Sequence, residues 1–233
     1  MTPKQKAITG IIVFILIVLL FYVLFFSKKA EAAQEEEEED EGTTPSDGAP
    51  INGDALANKV EKVDTRYENR WDYHRAVYTA LRNKGIPVIA AKMMTAHASK
   101  AQRGWKNPNS GKLWNYNCYG IHATPNWQKS KPYFVSDTAE YDATNGYYHT
   151  TAAFCSYSNL DACIDHYISL LRSERYQPAY MFAISTREIT LDEMIQWARL
   201  LRSCGYFTAD ATVWGTSVWN IYQNIVRVDL GGM

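Results

Sequence analysis

The chain has 233 residues, 24 Lys/Arg, 25 Asp/Glu and a formal net charge of −1. That length suggests one or two domains. The absence of any Lys/Arg run argues against a nucleic-acid partner, and no His/Cys spacing suggests a metal or other cofactor site. The near-neutral total hides a split. Residues 1–54 carry 4 of the basic and 10 of the acidic side chains, which leaves 20 basic and 15 acidic residues, a formal +5, in 55–233. A mildly basic globular part favours anionic surroundings such as a cell wall, a membrane surface or nucleic acid, and the excess is too small to name the partner.

Ala7 to Phe26 is a near-continuous apolar run. About 20 such residues cross a hydrocarbon core as a helix, so residues 1–29 are expected to form an anchor in the lipid bilayer, spanning it through residues 7–26. A signal peptide is the competitor, with Ala30-Glu31-Ala32 imitating a cleavage site, but its apolar region is shorter. Lys4 and Lys6 before the run balance Lys28 and Lys29 after it, so charge does not orient the span. Residues 30–54 hold the unbroken acidic run Glu35 to Glu41, followed by Thr, Pro, Ser, Asp and Gly. This composition reads as a self-repelling, disordered tether.

The third region, 55–233, is expected to be a mostly α globular domain (α+β) with a small β-hairpin lobe. Val60 to Asn83 places Val63, Tyr67, Trp71, His74, Val77, Tyr78 and Leu81 three or four apart, the period of one long or two consecutive helices. Lys84-Gly85 ends that pattern, and Pro87 opens a helix to about Gln102 with Val88, Ala91, Met94 and Ala98 on one face. A polar loop follows, then Asn117-Cys118-Tyr119-Gly120-Ile121-His122-Ala123. Trp105, Trp114, Tyr116 and Tyr119 offer flat faces that suit either sugar rings or a core. Tyr133 to Thr151 alternates β-favouring residues around Asn145-Gly146, a hairpin signal. Helices resume at Leu160 to Ser173 with Ser158 or Asn159 as cap. Another starts at the Thr190 to Glu193 capping box and stops at Gly205, and the last covers about Gly215 to Val228. The four cysteines, Cys118, Cys155, Cys163 and Cys204, allow three complete pairings, and sequence does not choose among them or exclude free thiols.

On these residues, over roughly 70–228, the chain resembles the glucosaminidase family of peptidoglycan hydrolases (glycoside hydrolase family 73), a branch of the lysozyme-like superfamily. Asn117 to Ala123 resembles the family's Asn-Leu-Phe-Gly-Ile-Lys-Ala. Thr138-Ala139-Glu140-Tyr141 with Asn145-Gly146 resembles its Thr-x-Glu-Tyr hairpin. Phe154-Cys155-Ser156-Tyr157 is similar to Phe-Arg-x-Tyr, with Cys155 in place of the arginine. Asp165-His166 sits where the family has an Asp-His pair, and Gly205 to Asp210 resembles Gly-Tyr-Ala-Thr-Asp-Pro. The resemblance implies a lysozyme-like domain acting on peptidoglycan glycan strands. It also implies Glu140 as a catalytic carboxylate and Trp105, Asn117, Tyr119, Tyr141 and Tyr206 as substrate-binding residues.

The departure from the family lies at the end of the Pro87 helix, where a catalytic Glu is expected. Here the position is Ala98 or Gln102, depending on the match, and no Asp or Glu occurs between Asp72 and Asp137. Glycosidic cleavage ordinarily uses two carboxyl groups, one of them an acid for the leaving oxygen. His97 is the candidate replacement acid, with a structural hydrogen-bonding role as its alternative. Two functions follow. One is a membrane-anchored hydrolase with an atypical acid, or a binder of N-acetylglucosamine–N-acetylmuramic acid strands. The other is a catalytically dead assembly protein that reuses the fold for protein contacts. The resemblance sets the domain facing the periplasm or cell wall, or carries it in a phage virion membrane.

Overall fold

The computed structural model describes residues 57–231 except 66, 103–112 and 143–145; for 139–142 and 147 it describes the backbone. The expected anchor and acidic tether lie outside the described residues. Among those described, no helix is long and apolar enough to cross a membrane.

The order is α1 (Arg70–Asn83), α2 (Val88–Ala101), α3 (Pro125–Ser130), β1 (Tyr133–Asp142), β2 (Gly146–Cys155), α4 (Leu160–Arg172), α5 (Gln177–Ser185), α6 (Leu191–Ser203) and α7 (Ala211–Ile221). A π-helical turn, Tyr222–Val226, then leads into α8 (Arg227–Leu230). The result is a mostly helical α+β unit with one two-stranded antiparallel sheet.

Helix α2 is central. Ala90, Ala91, Met93, Met94, Ala96 and Ala98 are all fully buried, and Thr95, His97 and Ser99 are buried with them. Val88 is exposed, and Ile89, Lys92 and Ala101 are half-buried. A helix covered on all sides needs small residues where neighbours press close and flexible ones where gaps remain, which alanine and methionine supply. It is packed by α1, α5, α7 and the π turn.

The helix ends follow local chemistry. Asn69 caps α1 by accepting from the Asp72 amide at 2.9 Å. Asn159, rather than Ser158, caps α4 by accepting from the Ala162 amide at 2.9 Å. The Thr190/Glu193 capping box is formed in both directions. Helix α6 closes with Gly205 at φ +76, so that the Tyr206 amide reaches back to the Leu201 carbonyl and the Gly205 amide to Arg202. In the hairpin, β1 and β2 pair from Tyr133↔Cys155 to Asp142↔Gly146.

Four elements differ from expectation. Residues 60–65, 67 and 68 are not helical. The Val60 amide donates to the Tyr133 carbonyl at 2.8 Å, and the Thr65 amide to Leu113 at 2.7 Å. Asn115 accepts from the Val63 amide and donates to the Glu61 carbonyl. These tertiary partners take the backbone groups a helix would need, so the three-and-four spacing of Val60, Val63 and Tyr67 is coincidental. The last helix begins four residues earlier than Gly215, because the Asp210 carboxylate caps the Thr212 and Val213 amides. Helices α3 and α5 have no counterpart in the sequence reading; each carries a proline in its first turn.

Gly215 marks where α7 presses on α6. A Cβ there would sit 2.7 Å from the Ile195 Cα and 3.0 Å from the Met194 carbonyl oxygen. Both are backbone atoms, so neither can swing aside. Gly215→Ala should therefore destabilise the fold by about 2–3 kcal/mol, read as a fall of roughly 5–10 °C in the thermal midpoint. An unchanged midpoint would show that the two helices separate freely.

Candidate functional site

The end of α2, the Leu113–Ala123 turn and the root of the hairpin meet through one side chain. Asn117 donates from Nδ2 to the Ile121 and Cys155 carbonyls at 2.9 and 3.0 Å, and its Oδ1 accepts from the Ile121 amide at 2.8 Å. Its own carbonyl accepts from Gln102 Nε2 at 3.2 Å. Both amide hydrogens are spent inside the protein, and the side chain is buried. Asn117 holds the site together, and this corrects its expected substrate-binding role. Asn115 and Tyr116, just before it, both have positive φ, at 48° and 56°. Such residues cost about 1–3 kcal/mol each unless the surroundings hold them. Here Asn115 is bonded as described above, and Tyr116 donates its amide to Thr65 Oγ1 at 2.9 Å. Gly120, at φ +60, then reverses the chain so that Ala123 bonds to the Ala153 carbonyl on β2.

Tyr119 and Tyr206 are not groove residues. Both are fully buried. Tyr119 stacks on Tyr167 with ring centroids 3.5 Å apart, and the Tyr206 hydroxyl approaches the Tyr119 carbonyl. Tyr67 and Trp219, by contrast, are only partly buried. The reason is the helical lattice: α2, α4, α6 and α7 converge on one aromatic centre that no single-helix pattern reveals.

His97 sits at that centre. Its ring meets those of Tyr119, Tyr167, Trp197, Tyr206 and Trp214 edge-on, with centroids between 5.0 Å (Trp214) and 5.8 Å (Trp197). Nδ1 pairs with the Tyr167 hydroxyl at 3.0 Å. Burial lowers its pKa to about 3. A neutral imidazole sealed from solvent has no proton to deliver at ordinary pH. His97 therefore takes the structural role, not that of a replacement acid.

The helix end itself distinguishes the two positions left open for the missing carboxyl. Ala98 is fully buried, and its carbonyl accepts from the Tyr73 hydroxyl at 3.1 Å. Gln102 is the C-cap of α2. Position 98 lies inside the core, whereas Gln102, although also buried, ends the helix against the Asn117 carbonyl. Glu140 and Tyr141 lie on β1 opposite Tyr148 and Tyr147; their side chains, and Trp105 entirely, lie outside the described residues. Gln102 and Asn117 are thus joined, and Tyr119 and Tyr206 are joined elsewhere, in the core. Among the described residues no three His, Cys, Asp or Glu side chains gather to hold a metal ion.

Two networks have no counterpart in the sequence reading. His74 bridges Asp229 Oδ2 at 2.7 Å and Ser99 Oγ at 3.0 Å, and Asp229 also holds Arg70. This is the geometry of a hydroxyl, its base and an orienting carboxylate. However, Ser99 and His74 are fully buried and Asp229 is 1% exposed, so no substrate reaches the hydroxyl. Burial lowers the His74 pKa more than Asp229 raises it, so the neutral ring donates from Nδ1 to the carboxylate and accepts from Ser99. The network fastens α8 to α1 and α2. The Asp165-His166 pair, by contrast, diverges. Asp165 pairs with Lys84 at 2.7 Å, while His166 meets the Tyr157 hydroxyl at 2.6 Å and stacks on Trp127. Residues so far apart in sequence carry no spacing signal, and only the fold brings them together.

No protein-family model and no curated protein matches the chain. Among solved structures it is similar to a peptidoglycan hydrolase mutant from Sphingomonas sp. A1, at 22% identity and TM-score 0.48, covering 69% of this chain and 93% of that one. It is also similar to the glycoside hydrolase domain of FlgJ from Salmonella typhimurium, at 22% identity and TM-score 0.42, covering 66% and 97%. A third is the catalytic domain of the autolysin Auto from Listeria monocytogenes, at 20% identity and TM-score 0.44, covering 75% and 98%. At such identities and scores no residue role passes from these proteins to this chain.

Two expectations follow for the aromatic centre. Unfolded histidine titrates near 6.5, whereas His97 stays neutral down to about 3. The stability it carries is complete above pH 6.5 and declines as pH falls toward 3, by about 1.4 kcal/mol per unit. Urea midpoints measured between pH 7.5 and 5 should fall, and fall less steeply in His97→Phe; parallel slopes would show that the ring is hydrated. Tyr119→Ala and Tyr206→Ala should each cost about 3–5 kcal/mol, measured by thermal unfolding, against a smaller loss for Trp219→Ala. The reverse order would return both tyrosines to a surface role.

Proposed function

We propose that this chain is a peptidoglycan-directed protein of glucosaminidase-like, lysozyme-like architecture that binds glycan strands and cleaves them weakly or not at all. Residues 7–26 anchor it in a membrane as a single span, with the C-terminal domain toward the cell wall. The observation that carries this reading is Gln102. An amide, already donating to the Asn117 carbonyl, stands at the end of α2 where the resemblance expects an acid. The five motifs of the resemblance support it by falling in order on the turn, β1, the end of β2, α4 and the entry to α7.

The chemistry follows from that amide. A neutral amide cannot protonate a leaving glycosidic oxygen, and general acid catalysis contributes roughly 10²–10⁴-fold. Glu140 remains in the sequence as the partner carboxylate, so the chain has half of the two-carboxyl apparatus. A cleft that retains its glycan contacts without the acid becomes a tether between membrane and wall.

The test uses the full chain in detergent micelles with purified peptidoglycan, scoring co-sedimentation and released fragments by mass spectrometry. Wild type should co-sediment and release little. Gln102→Glu should raise release at least tenfold, and Gln102→Glu combined with Glu140→Gln should abolish the gain. Absence of co-sedimentation would overturn the proposal in favour of an assembly protein that uses the fold for protein contacts. Full-rate release by wild type, lost in Glu140→Gln, would overturn the weak-cleavage part and require an acid elsewhere.

A further inference from the structure

We propose that Cys118 and Cys163 form a disulfide that ties the Asn117–Gly120 turn to helix α4. Their sulfurs lie 3.4 Å apart, and both residues are fully buried. Of the three complete pairings open to four cysteines, only this contact is made among the described residues. Cys155 instead directs its sulfur to the His122 carbonyl at 3.4 Å, and Cys204 caps the far end of α6. A disulfide bond is about 2.05 Å long, so closing the gap needs less than about 1 Å of movement by each sulfur, within reach of small side-chain rotations.

The step is a two-electron oxidation. A thiolate from one cysteine attacks the sulfur of an external disulfide, such as glutathione disulfide or the active disulfide of an oxidoreductase, and expels one thiolate. The second cysteine then attacks the mixed disulfide, forming the Cys118–Cys163 bond and releasing the second thiolate. The two protons of the cysteines end on the two thiols released. Because both sulfurs are sealed in the core, exchange takes place while the chain is folding, and the finished bond is then shielded from reductants. Burial also holds the Cys118 thiol far above its ordinary range, which suppresses the thiolate once the core has closed.

The placement gives the bond a purpose. It closes a loop between positions 45 apart that contains the whole hairpin. It also secures the segment whose Asn117 carbonyl receives Gln102. The inference stands on this geometry and does not depend on the glycan reading.

The experiment takes the full chain in detergent micelles, refolded in a buffer of reduced and oxidised glutathione, denatures it without reductant and alkylates it. The expected result is alkylation of Cys155 and Cys204 only, with a non-reduced digest holding the Cys118 and Cys163 peptides together. Reductant added to the folded protein should leave that link intact until denaturant is added. Reduction under unfolding conditions, followed by refolding with reductant, should lower the thermal midpoint by roughly 10 °C. Cys155→Ala should retain the link. Alkylation of all four cysteines, or a link through Cys155 or Cys204, would overturn the proposal. The wild-type peptide map decides the matter even where a variant fails to fold.

Discussion

The constraint on which the structure depends is the burial of helix α2 on all sides. A helix in that position cannot carry an unpaired charge, and every polar group on it must find a partner inside the protein. Three of them show how. Thr95 bonds back to the Ala91 carbonyl, His97 to Tyr167, and Ser99 to His74. The absence of carboxylates along α2 then has a physical meaning. Gln102 ends the helix, buried at 6% exposure with its amide on the Asn117 carbonyl.

The same helix organises its surroundings through a second device. Gln102 holds the Asn117 carbonyl, Asn117 holds Ile121 and Cys155, and the segment from Ile121 to Ala123 runs along the end of β2. The helix end, the turn and the hairpin root therefore move as one body. The extended N-terminal stretch adds to it through Asn115, which binds Glu61 and Val63 and also donates to Ser156. Two consecutive positive-φ residues are held by these contacts. Strain of this kind persists only where neighbours over-determine the backbone.

Burial also reassigns residues that look reactive. His97, His74 and His166 are all held below their ordinary pKa, chiefly by burial, and each spends a ring nitrogen on a fixed partner. Ser99, His74 and Asp229 have the relations of a hydrolytic triad and no access. Tyr119 and Tyr206 are fully buried in the core. Reactive residue types in plausible geometry carry chemistry only when a substrate can reach them, and here the packing denies it.

Much of the fold was legible in the sequence wherever the signal is local. Asn159, the Thr190/Glu193 box and Gly205 mark helix ends through groups within a few residues of each other, and the hairpin and the α2 boundaries follow from the same short-range chemistry. The absence of an acid between Asp72 and Asp137 is also a property of the sequence alone, and it holds for any fold. What only the tertiary structure decided is where side chains end up. Val60, Val63 and Tyr67 have helical spacing yet are not helical, because distant groups take the hydrogen bonds of Val60, Val63 and Thr65. Tyr119 and Tyr206 read as surface aromatics yet lie in the core, because four helices converge on them. Cys118 meets Cys163, and Ser99 meets His74 and Asp229, across separations no periodicity encodes. Local hydrogen bonds are written in adjacent residues; burial is a sum over neighbours from the whole chain, and it exists only once the chain has folded.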